Sequence, residues 1–494
     1  MKWAIFFAVL AIFLLLIGLI AVLAFNGMKK PFHVGVTFGG STAAEAKQLI
    51  DRVKDYTNLF VVQSGPLQMD IPQLENTELE KICDYAVEAG LDIIIYVGAF
   101  EIQANTTVAF INAAQERWGS QFLGLYYGDE PGGKMLDDVG RLDNIPNLGN
   151  VTKDQRGVTI RQTNGSIEIV RQFDFSGQIS LSYSDSVSYN MTTYFPDGTI
   201  TVVKGYADYD YHFENCEFLV YLPNGTVTLQ RGLLPSSPSV VTDRGDISQF
   251  EPYQKVWDSR PFQTMDDMPA VATSYVKTQQ AIIDRIHNQV DVKLFTSDYA
   301  LYWWDYLSGY DVVLAQLGWN NTVAQEIGLV RGAANLQGKS WGVILTWKYK
   351  EPPYLASGEE IYSQMCTAYA CGAEYVVVFN YAENMTGPYG ILQLEHFEAL
   401  ESFWRDVVQN PFVEHGTVQA EAALVLPKDY GWGMRKPQDT IWGLWSPDSA
   451  AEQIWTQLQS KLQQYGSKLD IVYDNPAYPV AGKYPKIIYW NQTS

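Results

Sequence analysis

Short apolar runs alternate along this chain with longer segments whose apolar residues have helical spacing. Four runs in the first part of the chain have the length of strands: His33–Phe38, Leu59–Gln63, Leu91–Phe100 and Phe122–Tyr127. Ala43–Tyr56 and Leu74–Gly90 lie between them and have the pattern of helices. Strands that are apolar on both faces are typical of a parallel sheet covered by helices.

The same alternation returns after about residue 266. Four further strands are predicted at Val292–Thr296, Asp311–Leu317, Trp341–Trp347 and Glu374–Asn380. Helices are predicted at Met268–Gln289, Glu359–Cys371 and His396–Val408. Eight strands with a similar number of helices predict an α/β fold of the (β/α)8 TIM-barrel type, with its halves at 31–141 and 266–412.

The segment between the two halves has a different pattern. Helical spacing disappears over 142–265, and polar β alternation replaces it, which predicts an inserted antiparallel β domain after the fourth strand. Asp197-Gly198 and Asn224-Gly225 are typical of two-residue hairpin turns. Because the insertion leaves from the loop after strand four and returns to it, we expect it to stand beside that end of the barrel.

The last part of the chain, 413–494, predicts a small Rossmann-like α/β domain. Its elements are strands Ala422–Leu426, Leu469–Tyr473 and Lys486–Trp490 and helix Ser449–Tyr465. It has no GxGxxG motif, and we predict no cofactor. The Gly- and Trp-rich loop between its first strand and its helix, with Lys428–Arg435 and Ile441–Trp445, could hold a ligand, but packing against the barrel is the favoured interpretation.

The beginning of the chain, 1–30, predicts a membrane anchor. Trp3–Phe25 contains no charged residue and is long enough to cross a bilayer as a helix. Cleavage after Val22-Leu23-Ala24, as in a signal peptide, is the alternative. Glycosylation sequons begin at Asn105, Asn150, Asn164, Asn190, Asn224, Asn320, Asn384 and Asn491. Together these features favour a single-pass protein of the cell membrane with most of the chain outside the cell.

Composition narrows the classes of partner. The chain has 55 acidic and 34 basic residues and a net charge of −21, which argues against binding to nucleic acid or to anionic membrane surfaces. Aromatic residues make up 14% of the chain, which suits sugar binding and also an ordinary large extracellular domain. No cluster of Cys and His has the spacing of a metal site, so we predict no metal.

Gly128-Asp129-Glu130-Pro131 directly follows the fourth predicted strand. In barrels of this kind, catalytic residues lie at the carboxyl ends of the strands, so Glu130 is a candidate catalyst. The alternative is a carboxylate that stabilises the loop through backbone amides.

A barrel with an acid–proline pair after strand four resembles a large clan of retaining glycoside hydrolases, whose motif there is Asn-Glu-Pro. The barrel followed by a doubly wound domain is also similar to the family of the microbial β-galactosidases. The resemblance implies that Glu130 is the general acid/base and that a Glu at the end of strand seven is the nucleophile. Two departures stand out. Asp129 occupies the Asn position, and strand seven ends in Thr346-Trp347-Lys348-Tyr349, so that the nearest Glu is Glu351.

Glycoside hydrolysis needs two carboxyl groups on either side of the bond. Four acids near strand ends are candidate partners for Glu130: Glu101, Asp298, Glu351 and Glu383. We expect Asp129 and Glu130, as neighbours in extended chain, to point in opposite directions.

The residues expected to bind the sugar are acids and aromatic side chains at strand ends: Asp129, Tyr127, Asp298, Trp319, Trp347, Tyr349 and Tyr381. The sequence thus favours a membrane-anchored, extracellular glycoside-hydrolase-like protein that acts on a polysaccharide or surface glycan, with Glu130 and Glu351 as catalytic residues. The alternative is a non-catalytic glycan-binding or scaffold protein on a degenerate barrel, which the missing strand-seven Glu favours.

Overall fold

The computed structural model describes residues 31–98, 104–137, 158–161, 167–172, 187–195, 197–207, 213–231, 239–240, 247–252, 254–255, 264–319, 322–381 and 389–492. The predicted anchor at 3–25 lies outside these ranges. Within them, the structure contains no helix whose length and apolar character would allow it to span a membrane. Several other predicted residues also fall outside the described ranges: Glu101, Glu383, Asn150, Asn164, Asn320 and Asn384.

The first part of the chain alternates strands and helices. In order, its elements are β1 (His33–Phe38), α1 (Ala43–Val53), β2 (Leu59–Val62), α2 (Glu78–Glu88), β3 (Asp92–Val97), α3 (Ala104–Trp118), β4 (Phe122–Tyr127) and α4 (Pro131–Asp137). Helix α1 begins at Thr42, whose hydroxyl accepts the Glu45 N–H while the Glu45 carboxylate accepts the Thr42 N–H, so two unpaired amides of the first turn are satisfied.

Between α4 and residue 240, the regular elements of the described residues are strands. They are β5 (Val158–Arg161), β6 (Ile167–Gln172), β7 (Val187–Tyr194), β8 (Ile200–Ala207), β9 (Phe213–Tyr221), β10 (Val227–Arg231) and β11 (Ser239–Val240). The alternation then resumes with α5 (Met268–His287), β12 (Lys293–Asp298), α6 (Tyr302–Leu307), β13 (Val312–Leu317), α7 (Val323–Gln337), β14 (Ser340–Leu345), α8 (Gly358–Ala370), β15 (Tyr375–Val378) and α9 (Leu394–Phe403). The chain ends with β16 (Ala422–Leu426), α10 (Ser449–Tyr465), β17 (Leu469–Tyr473) and β18 (Lys486–Tyr489).

Eight of these strands form a closed parallel barrel, in the order β1-β2-β3-β4-β12-β13-β14-β15, with β15 pairing again with β1. The predicted eight-stranded α/β barrel is confirmed. The strands are apolar on both faces because each face is buried. In β2, Leu59 and Val61 belong to the core inside the barrel, whereas Phe60 and Val62 belong to the core between the barrel and its helices.

Strands β5 to β11 pair antiparallel in one seven-stranded sheet. The prediction of two-residue hairpin turns is wrong, since such turns with Asn-Gly need a positive φ at both central residues. In the β9–β10 turn, φ is positive at Gly225 (84°) and not at Asn224. The Gly225 N–H donates to the Leu222 carbonyl (3.0 Å), and the Leu222 N–H donates to the Thr226 carbonyl (2.8 Å), which closes a longer turn. The β7–β8 turn repeats this arrangement at Gly198.

The C-terminal strands form a three-stranded parallel sheet in the order β17-β16-β18, which packs directly on the barrel helix α7. Close approach is possible because α7 has glycines one turn apart. A Cβ at Gly328 would lie 2.6 Å from the Leu469 carbonyl oxygen, and one at Gly332 would lie 3.1 Å from that of Ile471. The buried Arg331 of α7 pairs with the buried Asp470 at 2.8 Å. The last segment therefore shares one hydrophobic core with the barrel.

The two additions to the barrel should respond differently to deletion. The sheet of β5–β11 has a small core of its own, built around Ile200, Val202 and Leu219. We therefore predict that replacing 142–265 with a short Gly/Ser linker leaves the barrel folded, as judged by circular dichroism and a cooperative thermal melt. Removing 413–494 should abolish folding, because the buried face of α7 would be exposed and Arg331 would lose its partner. Failure of the first variant to fold, or a stable second variant, would contradict this division.

Candidate functional site

A cleft of about 310 Å³ opens at the carboxyl ends of the barrel strands. This volume lies near the lower end of the roughly 300–1,000 Å³ range of small-molecule sites. The described residues that line it come from seven of the eight strands or their following loops: Gln63, Gly65, Tyr96, Asp129, Glu130, Ser297, Gln316, Ile344, Thr346, Trp347, Phe379 and Tyr381.

The cleft continues the inner face of the barrel. Successive side chains of a strand point to opposite faces, so residues two positions apart share a face. Phe295, Leu314 and Val377 belong to the inner core, and the residues two positions further along the same chain segments are Ser297, Gln316 and Phe379, which line the cleft. On their inner face, β12 and β13 thus change from apolar to polar as they reach the mouth of the barrel, whereas β15 is followed by an aromatic ring.

The turn from β4 to α4 brings both acids into the cleft. Glu130 has φ of 53° and Gly128 has φ of 67°, both in the left-handed region. This conformation breaks the alternation of the strand, so Asp129 and Glu130 both line the cleft. The expectation that they point in opposite directions is wrong, because the chain is no longer extended there. Pro131 then starts α4, where its fixed φ and missing N–H suit the first helical position.

The side chain of Asp298 stabilises this turn through hydrogen bonds to its backbone. It is fully buried, and its carboxylate accepts the N–H groups of Gly132 (2.5 Å) and Gly133 (2.7 Å), as well as those of Tyr299 and Ala300. Gly132 and Gly133 permit this approach. A Cβ at either position would collide with the segment that follows β12. Asp298, which was predicted to bind the sugar, does not line the cleft, and its hydrogen bonds position the turn.

A second buried acid, Asp305, accepts the Tyr275 hydroxyl at 2.5 Å. Burial raises the pKa of Asp305 well above its ordinary value, and the nearby Asp298 carboxylate raises it further. Burial also raises the pKa of Asp298, while the amides of Gly132 and Gly133 act in the opposite direction. Because Asp298 accepts several amide donors, its pKa is raised less than that of Asp305.

The two cleft acids are held by a polar network. The Tyr126 hydroxyl donates to the Asp129 carboxylate and lies 2.6 Å from the Ser297 hydroxyl. The Gln316 amide donates to Glu130 at 2.7 Å and to Ser297 at 3.1 Å. Burial raises the pKa of Tyr126 well above its ordinary value, and Asp129 adds to the effect, so this tyrosine remains a hydrogen-bond donor.

One cation accompanies the two acids. The Lys134 ammonium, one turn along α4, donates to the Asp129 carbonyl at 2.8 Å. It also lies 3.6 Å from the Asp129 carboxylate and 3.8 Å from that of Glu130. All three side chains are partly exposed, so the ammonium offsets only part of the negative charge at the cleft.

Aromatic rings form the opposite wall. Trp347 contacts Phe379 at a centroid distance of 5.3 Å, Tyr381 at 6.1 Å and Tyr354 at 5.4 Å. Phe379 and Tyr381 stack nearly parallel, with an interplanar angle of 12°. These contacts fix the rings in place, so the cleft presents a rigid apolar surface facing its polar side.

Besides Asp298, four residues predicted at the site lie outside the lining. Tyr126 takes the inward position on β4, so Tyr127 points outward and is buried in the core between the barrel and its helices. This burial raises the pKa of Tyr127 to about 12. Trp319 and Tyr349 are each 44% exposed. Glu351 is exposed on the loop after β14 and does not line the cleft, so the structure does not bring it together with Glu130 there.

The sequence interpretation missed more than half of the lining, namely Gln63, Gly65, Tyr96, Ser297, Gln316, Ile344, Thr346 and Phe379. It also missed Tyr126, which positions Asp129. The information in the sequence that could have identified these residues is their position along each strand. Once a single inner residue of a strand is known, the residues of the same face at the carboxyl end of that strand are the candidates for the lining, as Ser297 and Gln316 are.

Comparison with known proteins gives no family assignment: no protein-family model matches this chain, and no curated protein matches it.

Within the described residues, no group of three or more His, Cys, Asp or Glu side chains is arranged to hold a metal ion. Of the predicted glycosylation sites, Asn105, Asn224 and Asn491 are exposed, and Asn190 lies in β7.

Adjacent tyrosines in β4 allow a matched test of the network. Tyr126→Phe removes the donor to Asp129 and should lower the free energy of unfolding by roughly 1.5–3 kcal/mol, the range expected for a hydrogen bond to a charged group. Tyr127→Phe should change it by less than about 0.5 kcal/mol, since the Tyr127 hydroxyl has no hydrogen bond to a described residue. Denaturant titration of both variants measures the difference, and equal losses would contradict the network.

Proposed function

We propose that the protein binds a carbohydrate in this cleft. The observation that carries the proposal is the pairing, in one cavity, of a fixed aromatic wall with a side rich in hydrogen-bond acceptors. A sugar ring has one or two faces of C–H groups that pack on aromatic rings, and a rim of hydroxyls that donate to carboxylates and amide oxygens. Trp347 and Tyr381 supply the first kind of surface, and Asp129 and Glu130 supply the second.

The charge at the cleft favours a neutral sugar. Asp129 and Glu130 bring two negative charges, and Lys134 offsets them only in part. A sugar with carboxylate or sulfate groups would be repelled by these acids, and the net charge of −21 adds to the repulsion at long range.

Hydrolysis of the bound glycan is the second candidate function, and the conformation of Glu130 favours it. A non-glycine residue in the left-handed region costs roughly 1–3 kcal/mol, and such strain concentrates at functional sites. In this hypothesis Glu130 is the acid/base, as the glycoside hydrolase resemblance implies. Glu351 gains no support as nucleophile, because it is exposed outside the cleft lining.

We also propose that the apolar segment at 3–25 attaches the protein to a membrane and that the remainder is extracellular and glycosylated. The protein should then remain in the membrane pellet after a carbonate wash, and an enzyme that removes N-linked glycans should increase its mobility on a gel. Mature protein in the culture medium that begins near Phe25 would show instead that the segment is a cleaved signal.

Conservative substitutions of the two cleft acids test both functions. Asp129→Asn and Glu130→Gln keep the size of each side chain but remove its charge. Each should weaken glycan binding by roughly 10- to 100-fold, because hydrogen bonds to a charged group contribute about 1.5–3 kcal/mol. If the protein is a hydrolase, Glu130→Gln should also lower the rate by roughly 10²–10⁴-fold.

The matched control is Glu351→Gln, which removes an exposed carboxylate outside the cleft lining and should leave binding unchanged. A glycan array followed by titration calorimetry measures binding, and release of reducing ends measures hydrolysis. Binding that is equal in the wild type, Asp129→Asn and Glu130→Gln would exclude the cleft as the binding site.

A further inference from the structure

Trp319 stands out among the exposed side chains of the described residues. Its side chain is 44% exposed, although an indole is a large apolar group that is usually buried. Its φ of 48° lies in the left-handed region, which disfavours any residue with a side chain as large as this one. A glycine at this position would avoid both costs, so backbone geometry does not account for the tryptophan.

The backbone of Trp319 is fixed against the lining of the cleft. Its N–H donates to the carbonyl of Trp347 at 2.6 Å, and Trp347 lines the cleft. The preceding Gly318 allows this contact, because a Cβ there would lie 2.4 Å from the Trp347 carbonyl oxygen. On the other side, Gln316 lines the cleft from the same segment of chain. Trp319 therefore stands at the rim, directly beside the aromatic wall.

We propose that Trp319 is a second sugar-binding position, outside the cleft, and that the ligand is a glycan chain of several units. This inference rests on the proposed carbohydrate function of the cleft. One sugar unit occupies the cleft against Trp347, and a following unit packs its apolar face on the exposed indole of Trp319. The small volume of the cleft, about 310 Å³, agrees with a chain that enters with one end and continues over the rim.

Tyr349 is equally exposed but is a weaker candidate for this role. The Lys348 ammonium lies 5.7 Å from the centre of its ring, so a cation already contacts that ring. The Tyr349 N–H donates to the Tyr354 carbonyl, which fixes it within its own loop and not against the backbone of the cleft lining. Trp319 is thus the residue on which the chain length of the ligand should depend.

The test compares sugars of increasing length on the purified full-length chain. The probes are cello-, xylo-, manno- and chito-oligosaccharides of one to six units, with binding measured by calorimetry. For the series that binds, we expect affinity to rise between one unit and three. Trp319→Ala should remove this rise and increase the Kd of the longer sugars roughly tenfold, while binding of the single unit stays unchanged. Trp319→Phe should restore part of the gain.

The matched control is Phe412→Ala, which removes another exposed aromatic side chain, 65% accessible, that does not line the cleft. It should bind every length as the wild type does. Length dependence that persists in Trp319→Ala would overturn this inference and leave the proposed function of the cleft intact. If no sugar of any series binds the wild type, the carbohydrate function fails and this inference fails with it.

Discussion

The position of the cleft acids depends on one buried carboxylate. Asp298 accepts the amide hydrogens of Gly132 and Gly133 at the start of α4 and those of Tyr299 and Ala300 after β12. It thereby joins the ends of two neighbouring strands, β4 and β12, by hydrogen bonds that water cannot replace at a fully buried site. The Glu130 N–H, which donates to the Ser297 carbonyl, completes the connection. Within α4, Lys134 adds two further bonds to the turn, from its ammonium to the Asp129 carbonyl and from its N–H to the Glu130 carbonyl.

The C-terminal segment supports the same turn from outside the barrel. Arg435 forms two hydrogen bonds to Asp137 at the end of α4, at 2.7 and 2.8 Å. Gly443 lies so close to α4 that a Cβ there would be 2.4 Å from the Met135 carbonyl oxygen. The loop that the sequence interpretation assigned to packing against the barrel does pack there. Its contact is with the helix that follows Glu130, so the last segment of the chain contributes to the site without lining it.

The sequence predicted the barrel well because its signal is strong. Strands that are apolar along their whole length, such as β2 and β13, separated by amphipathic helices, are compatible with few other folds. The observed ends of the predicted elements differ from the predictions by only a few residues. The site was predicted less well for the same reason. A strand that is apolar on both faces does not reveal which residues point inward, so Tyr127 was chosen over Tyr126 and Asp298 over Ser297. The type of hairpin turn was predicted wrongly because the pairs Asp197-Gly198 and Asn224-Gly225 were given more weight than the proline that precedes each pair.

Backbone geometry and packing explain four of the six residues at 128–133. The two residues that they do not explain, Asp129 and Glu130, are therefore the ones that indicate function. Gly128 adopts a positive φ, and Pro131 occupies the first position of α4. Gly132 and Gly133 have no Cβ that would collide with the segment after β12, so α4 can lie close to it. Asp129 and Glu130 meet no such need, and Glu130 adopts a conformation that glycine would adopt without strain. Their carboxylates are instead oriented by fixed donors, Tyr126 and Gln316, before any ligand arrives. Acceptors that are already ordered lose little entropy on binding, which is what a site for a hydroxyl-rich ligand requires. Hydrolysis would need a second carboxyl group across the sugar from Glu130, and among the described residues of the cleft lining the other carboxylate is Asp129, its neighbour in the chain.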